Sequence, residues 1–392
     1  MIAFDAAMAL VAAQARDPAT KTLPLADAAG RVLAEDLLAP VDAPLHPLAM
    51  MDGYAVRLED VLAGGPLAIA ATSRAGAGWA GPLGPGQAAR IFTGAQVTQG
   101  ADCVIMQEYA EVEEAGVWFR EGHGPARHIR AAASDFRRGD VLLARGTRLT
   151  PRALVAAAAA DTAQVRVARP PRVAVLTIGD ELAAPGSTGA QPDRIPDTLS
   201  AALVAAVRAW GGEIVSRHML ADDPASAQAA ATAALGEADL VVIAGGASVG
   251  EHDLARSMFA AHATQSLFAR VAIKPGRPVW LSRAGDRLVL GLPGNPTSAL
   301  VTARLFLQPL LAGLQGARGG HCWRLVPLAA PLAATGQRES FARARWETGG
   351  LIPLESQLSG AQAALADADC LIRCPPGQAE LAPGTLVPML DF

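Results

Sequence analysis

Apolar residues recur at helical spacing at the start of the chain and again near residue 150. Phe4, Met8 and Val11 would share one helix face, and residues 1 to about 36 predict two short helices with a leucine and alanine face. Another helix is predicted from Pro151 to Ala160, where it would pair with the N-terminal helices. These stretches indicate one helical N-terminal domain built from residues 1–36 and 138–168.

The segment between these helical stretches has a different pattern. Pro40, Pro44 and Pro47 exclude a continuing helix. From about residue 48, short apolar runs such as Ala88–Phe92 and Cys103–Met106 alternate with glycine and proline turns. The pattern predicts a small β-rich domain at 37–137, inserted into the helical domain.

Beyond a stiff Arg169-Pro170-Pro171 linker, apolar runs of strand length alternate with helical stretches. Such runs are typical of a doubly wound parallel sheet that is covered by helices on both faces. The predicted strands are Val173–Thr177, Glu213–Arg217, Leu240–Ala244 and Leu288–Leu290, and the predicted helices are Leu199–Trp210, Ala225–Leu235 and Thr297–Leu314. We expect an α/β domain at 169–316, followed by a β-barrel-like domain at 317–392.

Composition excludes several classes of protein. Alanine dominates the 51% hydrophobic share, and long unbroken apolar runs such as Ala153–Ala160 are far shorter than the roughly 20 residues of a membrane span. A net charge of −4 without a dense basic cluster argues against a nucleic-acid partner. The four cysteines form neither a CxxC pair nor a disulfide framework. We therefore expect a soluble, cytoplasmic protein without a membrane partner.

Three residue types are unusually rare, and their positions single out particular motifs. Lysine occurs only at Lys21 and Lys274, asparagine only at Asn295, and tyrosine only at Tyr54 and Tyr109. Lys274, Asn295 and Tyr54 lie in glycine- or proline-rich motifs, whereas the other two lie in ordinary surroundings. We interpret the first three as positions where no common residue substitutes, with chance survival as the alternative.

The loops after the predicted strands carry candidate chemistry, because ligands of doubly wound sheets bind outside the carboxyl ends of the strands. The first loop, Gly179-Asp180-Glu181, has two adjacent carboxylates, for which a helix N-cap is the structural alternative. The third strand leads into a glycine loop suited to a phosphate, with Gly245, Gly246, Ser248 and Gly250. Asp253 follows closely, and together with Glu181 it would hold Mg²⁺ on phosphate oxygens.

Two further loops predict anion recognition. The segment IKPGRP places two cations, Lys274 and Arg277, on a rigid loop. The segment GLPGNP directly precedes a helix, where backbone amides face a phosphate or an oxyanion. Its candidate binding residues are Pro293, Gly294, Asn295 and Pro296. Two simple turns are the alternative interpretation.

Candidates also lie outside these loops. The motif MDGYA places the carboxylate of Asp52 in a tight turn, and FTGA places the hydroxyl of Thr93 in another, with turn chemistry alone as the alternative interpretation of both. Asp135 and the pair Asp222-Asp223 are second-tier candidates, because Asp in a loop or before proline is usually a cap.

Together, MDGYA, FTGA, GDEL, GGASVG followed by EHD, IKPGRP and GLPGNP resemble the ordered motifs of the MoeA-type molybdopterin molybdenumtransferases, which are related to the gephyrin E domain. The similarity covers essentially the whole chain, and the ordered set is much more specific than any single motif. The resemblance implies an elongated multidomain chain, α/β plus β, with a MogA-like α/β domain. It also implies a homodimer in which Asp52 and Thr93 complete a site built mainly by the other chain.

The same resemblance implies the substrates adenylylated molybdopterin and molybdate, with molybdenum cofactor and AMP as products. Ser248 and the glycine loop would hold the pterin or phosphate end, and Glu181 with Asp253 would hold Mg²⁺ on the phosphates. Lys274 and Arg277 would attract the molybdate dianion.

Protons must move as oxo ligands of molybdate leave as water, and Asp52, Asp180 or Asp135 would serve in this transfer. Asp222 would join the substrate-binding set. The implied protein partners are a molybdopterin adenylyltransferase and recipient molybdoenzymes.

The chain departs from the family pattern at several positions. Ile178 stands where a hydroxyl residue is usual, Leu199 where asparagine is common, and Ala364 where the C-terminal domain often has serine. Ala49 and Met50 also differ from the usual residues before MDGYA. Each lost polar contact would weaken substrate binding by about 0.5–1.5 kcal/mol. A non-catalytic carrier of molybdopterin or of the finished cofactor is therefore the second hypothesis.

Overall fold

A computed structural model describes residues 1–79, 81–190, 193–246, 254–317 and 320–392. The α-helices in these ranges are α1 (Phe4–Ala12), α2 (Leu58–Ala63), α3 (Pro151–Ala159), α4 (Leu199–Ala209), α5 (Pro224–Glu237), α6 (Leu254–Ser257), α7 (Pro296–Thr302) and α8 (Gln308–Leu314). The strands before the linker are β1 (Thr20–Pro24), β2 (Leu37–Leu38), β3 (Leu48–Ala49), β4 (Gly53–Val56), β5 (Ala68–Ser73), β6 (Gln87–Ile91), β7 (Cys103–Met106), β8 (Ala110–Glu113), β9 (Gly116–Phe119), β10 (Ile129–Arg130), β11 (Val141–Leu143) and β12 (Gln164–Ala168).

The strands after the linker fall into two groups. The first group is β13 (Arg172–Ile178), β14 (Leu182–Ala183), β15 (Ile195–Pro196), β16 (Glu213–Leu220), β17 (Leu240–Gly245), β18 (Gln265–Phe268), β19 (Ile273–Lys274), β20 (Trp280–Ala284) and β21 (Arg287–Leu292). The C-terminal group is β22 (Arg324–Pro327), β23 (Glu339–Glu347), β24 (Gly350–Pro353), β25 (Cys370–Cys374) and β26 (Leu386–Asp391).

Helix α1 forms as its spacing predicts, but it does not pair with α3. Phe4 and Val11 are buried in the core of the α/β sheet, and the Phe4 ring centre lies 5.8 Å from that of Phe306 and 4.8 Å from that of Phe341. The second predicted N-terminal helix is wrong, because residues 20–24 form β1, paired antiparallel with β12. Two β-branched threonines in TKTLP favour this strand.

Residues from both sides of the β-rich segment share one core. Ala28 and Leu33 pack with Leu149, Ala157 and Val167. Helix α3 begins where Thr150 caps it, its hydroxyl accepting a hydrogen bond from the amide of residue 153 at 3.3 Å. This core supports the proposed discontinuous domain, but with a β1–β12 ladder beside α3 and without α1.

The β-rich segment contains a four-stranded sheet in the order β5-β6-β4-β7. Strand β7 has its predicted bounds, and β6 begins and ends one residue earlier than predicted. Gly53 of β4 pairs with Ile91 of β6 and with Met106 of β7. A Cβ atom at Gly53 would overlap the carbonyl oxygen of Ile105, so the strands approach this closely only with glycine.

The α/β sheet has the order β16-β13-β17-β21-β20-β18. The four predicted strands are confirmed as its parallel part. The expectation of a parallel sheet is wrong for the other edge, where β20 runs antiparallel to both of its neighbours, β21 and β18. A two-residue turn at Gly285 and Asp286, with Gly285 at φ +58°, joins β20 to β21 as a hairpin.

The helices of this unit match the predictions closely. Asp223 caps α5 by accepting a hydrogen bond from the amide of Ser226 at 2.8 Å, and Pro224 occupies the first turn. Helices α7 and α8 join through a π-helical turn at Ala303–Leu307, which accommodates Pro309 in one continuous helix.

This continuous helix, Pro296–Leu314, is the one stretch in the described ranges with the length and hydropathy of a membrane span. Its most apolar 18-residue window is 78% buried inside the protein. Leu305, Phe306 and Leu310 pack in the same core as the sheet, and such burial is that of a core helix.

The C-terminal strands form a sheet in the order β19-β23-β25-β26-β22, with β24 paired to β23. A parallel bridge between Leu328 and Leu351 brings the end of β22 back to β24. The strands thus wrap around one apolar core that includes Leu351, Ile372 and Met389, as the barrel-like expectation requires. Strand β19, which carries Lys274, extends this sheet from the α/β segment.

Candidate functional site

A cavity of about 560 Å³ lies at the carboxyl ends of the parallel strands. Its walls come from the loop after β13, the segment before α4, the end of β17, the loop before α7, and a loop of the C-terminal unit. The predicted site residues that line it are Glu181, Gly245, Gly294, Asn295 and Pro296. Loops that are far apart in the sequence therefore meet around one space, as the sequence predicts.

Glycines allow these loops to touch. A Cβ atom at Gly245 would overlap the carbonyl oxygen of Ile178, and one at Gly294 would lie 3.4 Å from the Cα of Gly245. Gly245 and Gly246 have φ values of +89° and +64°, which side-chain-bearing residues rarely adopt. The glycines of GGASVG and GLPGNP thus set the close approach of β13, β17 and β21. Pro293, also predicted, is buried behind this contact.

The helix that starts at Pro296 presents an open N-terminus to the cavity. Asn295 is its N-cap residue, but its side chain makes no capping hydrogen bond within the described chain. Instead, Asn295 Nδ2 donates to the hydroxyl of Ser359 at 3.4 Å. Asn295 therefore does not cap the helix, and the exposed backbone of Gly294 and Asn295 lines the cavity at the end of the helix whose dipole attracts an anion.

Three carboxylates lie at the ends of β13 and β16. The amide of Asp222 donates to Asp180 Oδ1 at 3.0 Å, and the amide of Asp180 donates to Asp222 Oδ2 at 3.3 Å. These reciprocal bonds fix the two loops together, and both side chains remain exposed. Glu181 is also exposed and curls back over Gly179, where an added Cβ would overlap its carboxylate.

A buried carboxylate that the sequence analysis missed, Asp197, also lines the cavity. It is 5% exposed and accepts hydrogen bonds from the amides of Leu199 (3.1 Å) and Ser200 (3.0 Å) and from the hydroxyl of Thr177 (3.1 Å). Burial alone would raise the pKa of Asp197, but hydrogen bonds from Ser200, Thr177 and Leu199 outweigh it and lower the pKa. The sequence Pro-Asp-Thr directly before a predicted helix is a signal for a helix cap, and it could have identified Asp197.

We expect Asp197→Ala to destabilise the protein by about 3 kcal/mol, because it removes a helix cap and leaves a buried hydroxyl without an acceptor. Calorimetric unfolding measures the loss. Asp223→Ala, at the exposed cap of α5, is the matched control and is expected to cost about 1 kcal/mol. Equal losses in the two variants would contradict a special role for Asp197.

The cations of IKPGRP lie outside this cavity lining. Lys274 and Arg277 are both exposed, and neither forms an ion pair with any residue that the structure describes. Lys274 pairs through its backbone with Ser340 of β23. Gly276, at φ +102°, is packed so closely against Thr302 of α7 that an added Cβ would overlap the threonine methyl group. The loop is therefore held between the C-terminal unit and the helix that begins at the cavity.

A buried arginine, Arg343, lies on the strand next to Lys274 and had no signal in the sequence. It is 1% exposed, and its Nη2 donates to the carbonyl oxygens of Ser356 (2.9 Å) and Leu358 (3.3 Å). Its Nε and Nη1 atoms have no hydrogen-bond partner in the described chain. Desolvation lowers the pKa of Arg343. The loop that it holds continues to Gly360 and Gln362, which line the cavity.

A serine of this loop contacts GLPGNP, because Ser359 accepts the hydrogen bond from Asn295. Ala364, one of the expected departures, lies in a short 3₁₀ turn at Ala363–Leu365. The other two expected departures, Ile178 and Leu199, both line the cavity.

Asp52 and Thr93 meet in the β-rich unit. Asp52 Oδ1 accepts hydrogen bonds from both the amide and the hydroxyl of Thr93, each at 2.7 Å. The register of Gly53 with Ile91 places the two loops side by side. The bonds from Thr93, together with the charge of Arg90, lower the pKa of Asp52. Neither residue is among those lining the cavity of the same chain.

The remaining predicted site residues are not among the described residues that line the cavity. Asp135 is exposed and forms an ion pair with Arg130 at 3.3 Å. Ser248, Gly250 and Asp253 lie outside the described residues. The described part of the chain contains no group of three or more His, Cys, Asp or Glu side chains arranged for a metal ion.

Comparison with known proteins gives matches along the whole chain. Residues 2–160 match the "MoeA N-terminal region (domain I and II)", 174–313 a "probable molybdopterin binding domain", and 326–392 the "MoeA C-terminal region (domain IV)". The molybdopterin molybdenumtransferase of Haemophilus influenzae is 36% identical over 89% of this chain and 86% of its own length. Molybdopterin molybdenumtransferase 2 of Mycobacterium tuberculosis is 34% identical over 95% of both chains.

A solved structure is similar over the full length. The molybdopterin biosynthesis MoeA protein from Pyrococcus horikosii superposes with a TM-score of 0.81 at 30% sequence identity. The match covers 100% of this chain and 99% of that chain. The multidomain arrangement is thus one already seen in a relative.

Proposed function

Because the chain belongs to the molybdopterin molybdenumtransferases, which act in molybdenum cofactor biosynthesis, we propose that its 560 Å³ cavity holds adenylylated molybdopterin while molybdate is inserted and AMP is released. The observation that carries this proposal is the convergence of three strand-end loops and an uncapped helix N-terminus on one cavity. The amides of Gly294 and Asn295, which line the cavity, would bind phosphate oxygens. The pterin would lie toward Gly245 and the glycine loop.

Mg²⁺ is part of the proposal. Glu181 fits such an ion, because its carboxylate is exposed at the cavity and Mg²⁺ needs only one or two protein carboxylates beside phosphate oxygens. Asp253 would be the second ligand. When bound, Mg²⁺ would neutralise charge on the phosphates. Asp180 and Asp222 would fix the loop that carries Glu181, through the reciprocal hydrogen bonds between their backbones and side chains.

Asp52 would take part in the proton transfer as oxo ligands of molybdate leave as water. Hydrogen bonds from Thr93 hold its carboxylate in one place and lower its pKa. Asp180 or Asp135 would be the alternative groups for this transfer. Lys274 and Arg277 would bind the molybdate dianion from their exposed loop.

A homodimer would bring these parts together. Asp52 is not among the residues lining the cavity of its own chain, and the two residues before it, Met50 and Met51, are 52% and 40% exposed. Apolar side chains at this exposure are typical of a surface that another chain covers. In the proposed dimer, Asp52 and Thr93 of one chain reach the cavity of its partner. The chain would work in the cytoplasm, between a molybdopterin adenylyltransferase and molybdoenzymes.

A single-turnover assay tests the transferase. With excess protein, molybdate and Mg²⁺, we expect one AMP per adenylylated molybdopterin, and removal of Mg²⁺ with EDTA is expected to slow release by on the order of 100-fold. Glu181→Gln should raise the Mg²⁺ concentration needed for half-maximal rate. Tight pterin retention without AMP release would instead select the carrier hypothesis, which the apolar residues Ile178 and Leu199 favour.

A further inference from the structure

Arg90 of β6 is held on four sides in the β-rich unit. Its guanidinium carbon lies 5.1 Å from the ring centre of Tyr54 and 4.7 Å from that of Phe92. Nη1 donates to the carbonyl oxygen of Gly53 at 2.8 Å, and Nη2 donates to Gln107 Oε1 at 2.6 Å. Two aromatic faces and two oxygens fix a side chain that would otherwise have many rotamers.

These contacts surround the peptide that carries Asp52. The carbonyl oxygen of Asp52 accepts a hydrogen bond from the amide of Gln107 at 3.0 Å, and the next carbonyl, that of Gly53, is bound by Arg90. Asp52, Gly53, Arg90 and Gln107 therefore form a closed ring of covalent and hydrogen bonds. Arg90 is also three residues before Thr93, whose amide and hydroxyl bind the Asp52 carboxylate.

We propose that Arg90 is a positioning residue for the transfer reaction, which fixes the Asp52 carboxylate in the one orientation that reaches the substrate in the partner's cavity. This inference rests on the proposed role of Asp52. A lysine could supply the charge, but it has no planar fork to bond two diverging oxygens and no flat face to lie between Tyr54 and Phe92. The geometry therefore requires arginine.

The test compares Arg90→Met, Arg90→Lys and a control, Arg120→Met, in the full-length protein. Arg120 belongs to the same unit, is exposed, and forms an ion pair with Glu111 across the β8–β9 hairpin. We expect Arg90→Met to lower kcat by about 10- to 100-fold, as loss of a supporting hydrogen-bond partner does, with little change in KM. Arg90→Lys should retain part of kcat, and Arg120→Met all of it.

Amide hydrogen exchange at Thr93, followed by NMR at neutral pH, reports the position of Asp52 directly. We expect exchange about tenfold faster in Arg90→Met than in the parent protein, and unchanged in Arg120→Met. If Arg90→Met does not fold, Arg90→Lys is compared with the parent protein instead. Unchanged Thr93 exchange, or a loss confined to KM, would overturn the inference.

Asp52→Asn separates this inference from the proposed function. If Asp52→Asn keeps the parent kcat, the role of Asp52 in the transfer fails, and the role of Arg90 fails with it. If Asp52→Asn is inactive while Arg90→Met is fully active, only the positioning role of Arg90 is wrong.

Discussion

Replacement of Lys274 by alanine is expected to weaken molybdate binding by about 10- to 150-fold, because a hydrogen bond to a charged group is worth about 1.5–3 kcal/mol. The loop of Lys274 is fixed between β23 and α7, so the position of its ammonium group is set by the fold. Isothermal titration calorimetry with molybdate measures the affinity. AMP release at low molybdate concentration should fall in the same proportion.

The chain provides a matched control, since its second lysine is Lys21. Lys21 lies on β1, paired with Val167, and lines a cleft at the opposite, amino-terminal ends of the parallel strands. Lys21→Ala should bind molybdate as the parent protein does, and Lys274→Arg should retain most of the affinity. Equal affinity in Lys274→Ala and Lys21→Ala would remove Lys274 from the oxyanion site.

The cavity loops could be predicted from the sequence because a general rule connects pattern with position. Buried parallel strands read as apolar runs, and their carboxyl ends must meet at one edge of the sheet. Glu181, Gly245 and Asn295 follow three such runs, and all three line the cavity. Lys274 and Arg277 lie in the connection between the edge strand β18 and β20, and they lie outside the lining of the cavity.

Contacts that depend on long-range register could not be predicted. In the sequence, Asp52 and Thr93 each lie in a segment that predicts an isolated turn. Only the pairing of β4 with β6 brings them within hydrogen-bond distance. Arg343 had no signal, since an arginine in a strand is usually solvent-exposed. Its burial depends on carbonyl oxygens supplied 13 and 15 residues later along the chain.

The misplaced N-terminal helix has a similar cause. Helical spacing identifies the face of α1 that is buried, but it does not identify the surface that buries it. Phe4 would have filled a core beside α3 equally well by its pattern alone. In the structure its partners are Phe306 and Phe341, which are about 300 residues away in sequence and belong to the other end of the chain.

Mixing two inactive variants should restore activity if the site is shared between chains. Asp52→Ala removes the site residue of the β-rich unit, and Lys274→Ala removes the site residue of the loop between the α/β and C-terminal units. Each homodimer of a single variant therefore carries two defective sites. Random reassociation gives half heterodimers, and each heterodimer has one site with both parts intact. We therefore expect about a quarter of the parent activity after co-refolding or co-expression, measured as AMP release per chain.

The pair Asp52→Ala and Thr93→Ala is the control for this experiment. Both changes lie in the β-rich unit and within one hydrogen-bonded pair. Every site of their heterodimer therefore keeps one defect, and activity should not return. Native mass spectrometry of differently tagged chains shows whether heterodimers form. Heterodimers of Asp52→Ala with Lys274→Ala that stay inactive would mean that Asp52 does not complete the partner's cavity. Active heterodimers would instead show that Asp52 of one chain and Lys274 of the other form one site. These two residues are more than 200 positions apart in the sequence, and they would then act together only across two molecules.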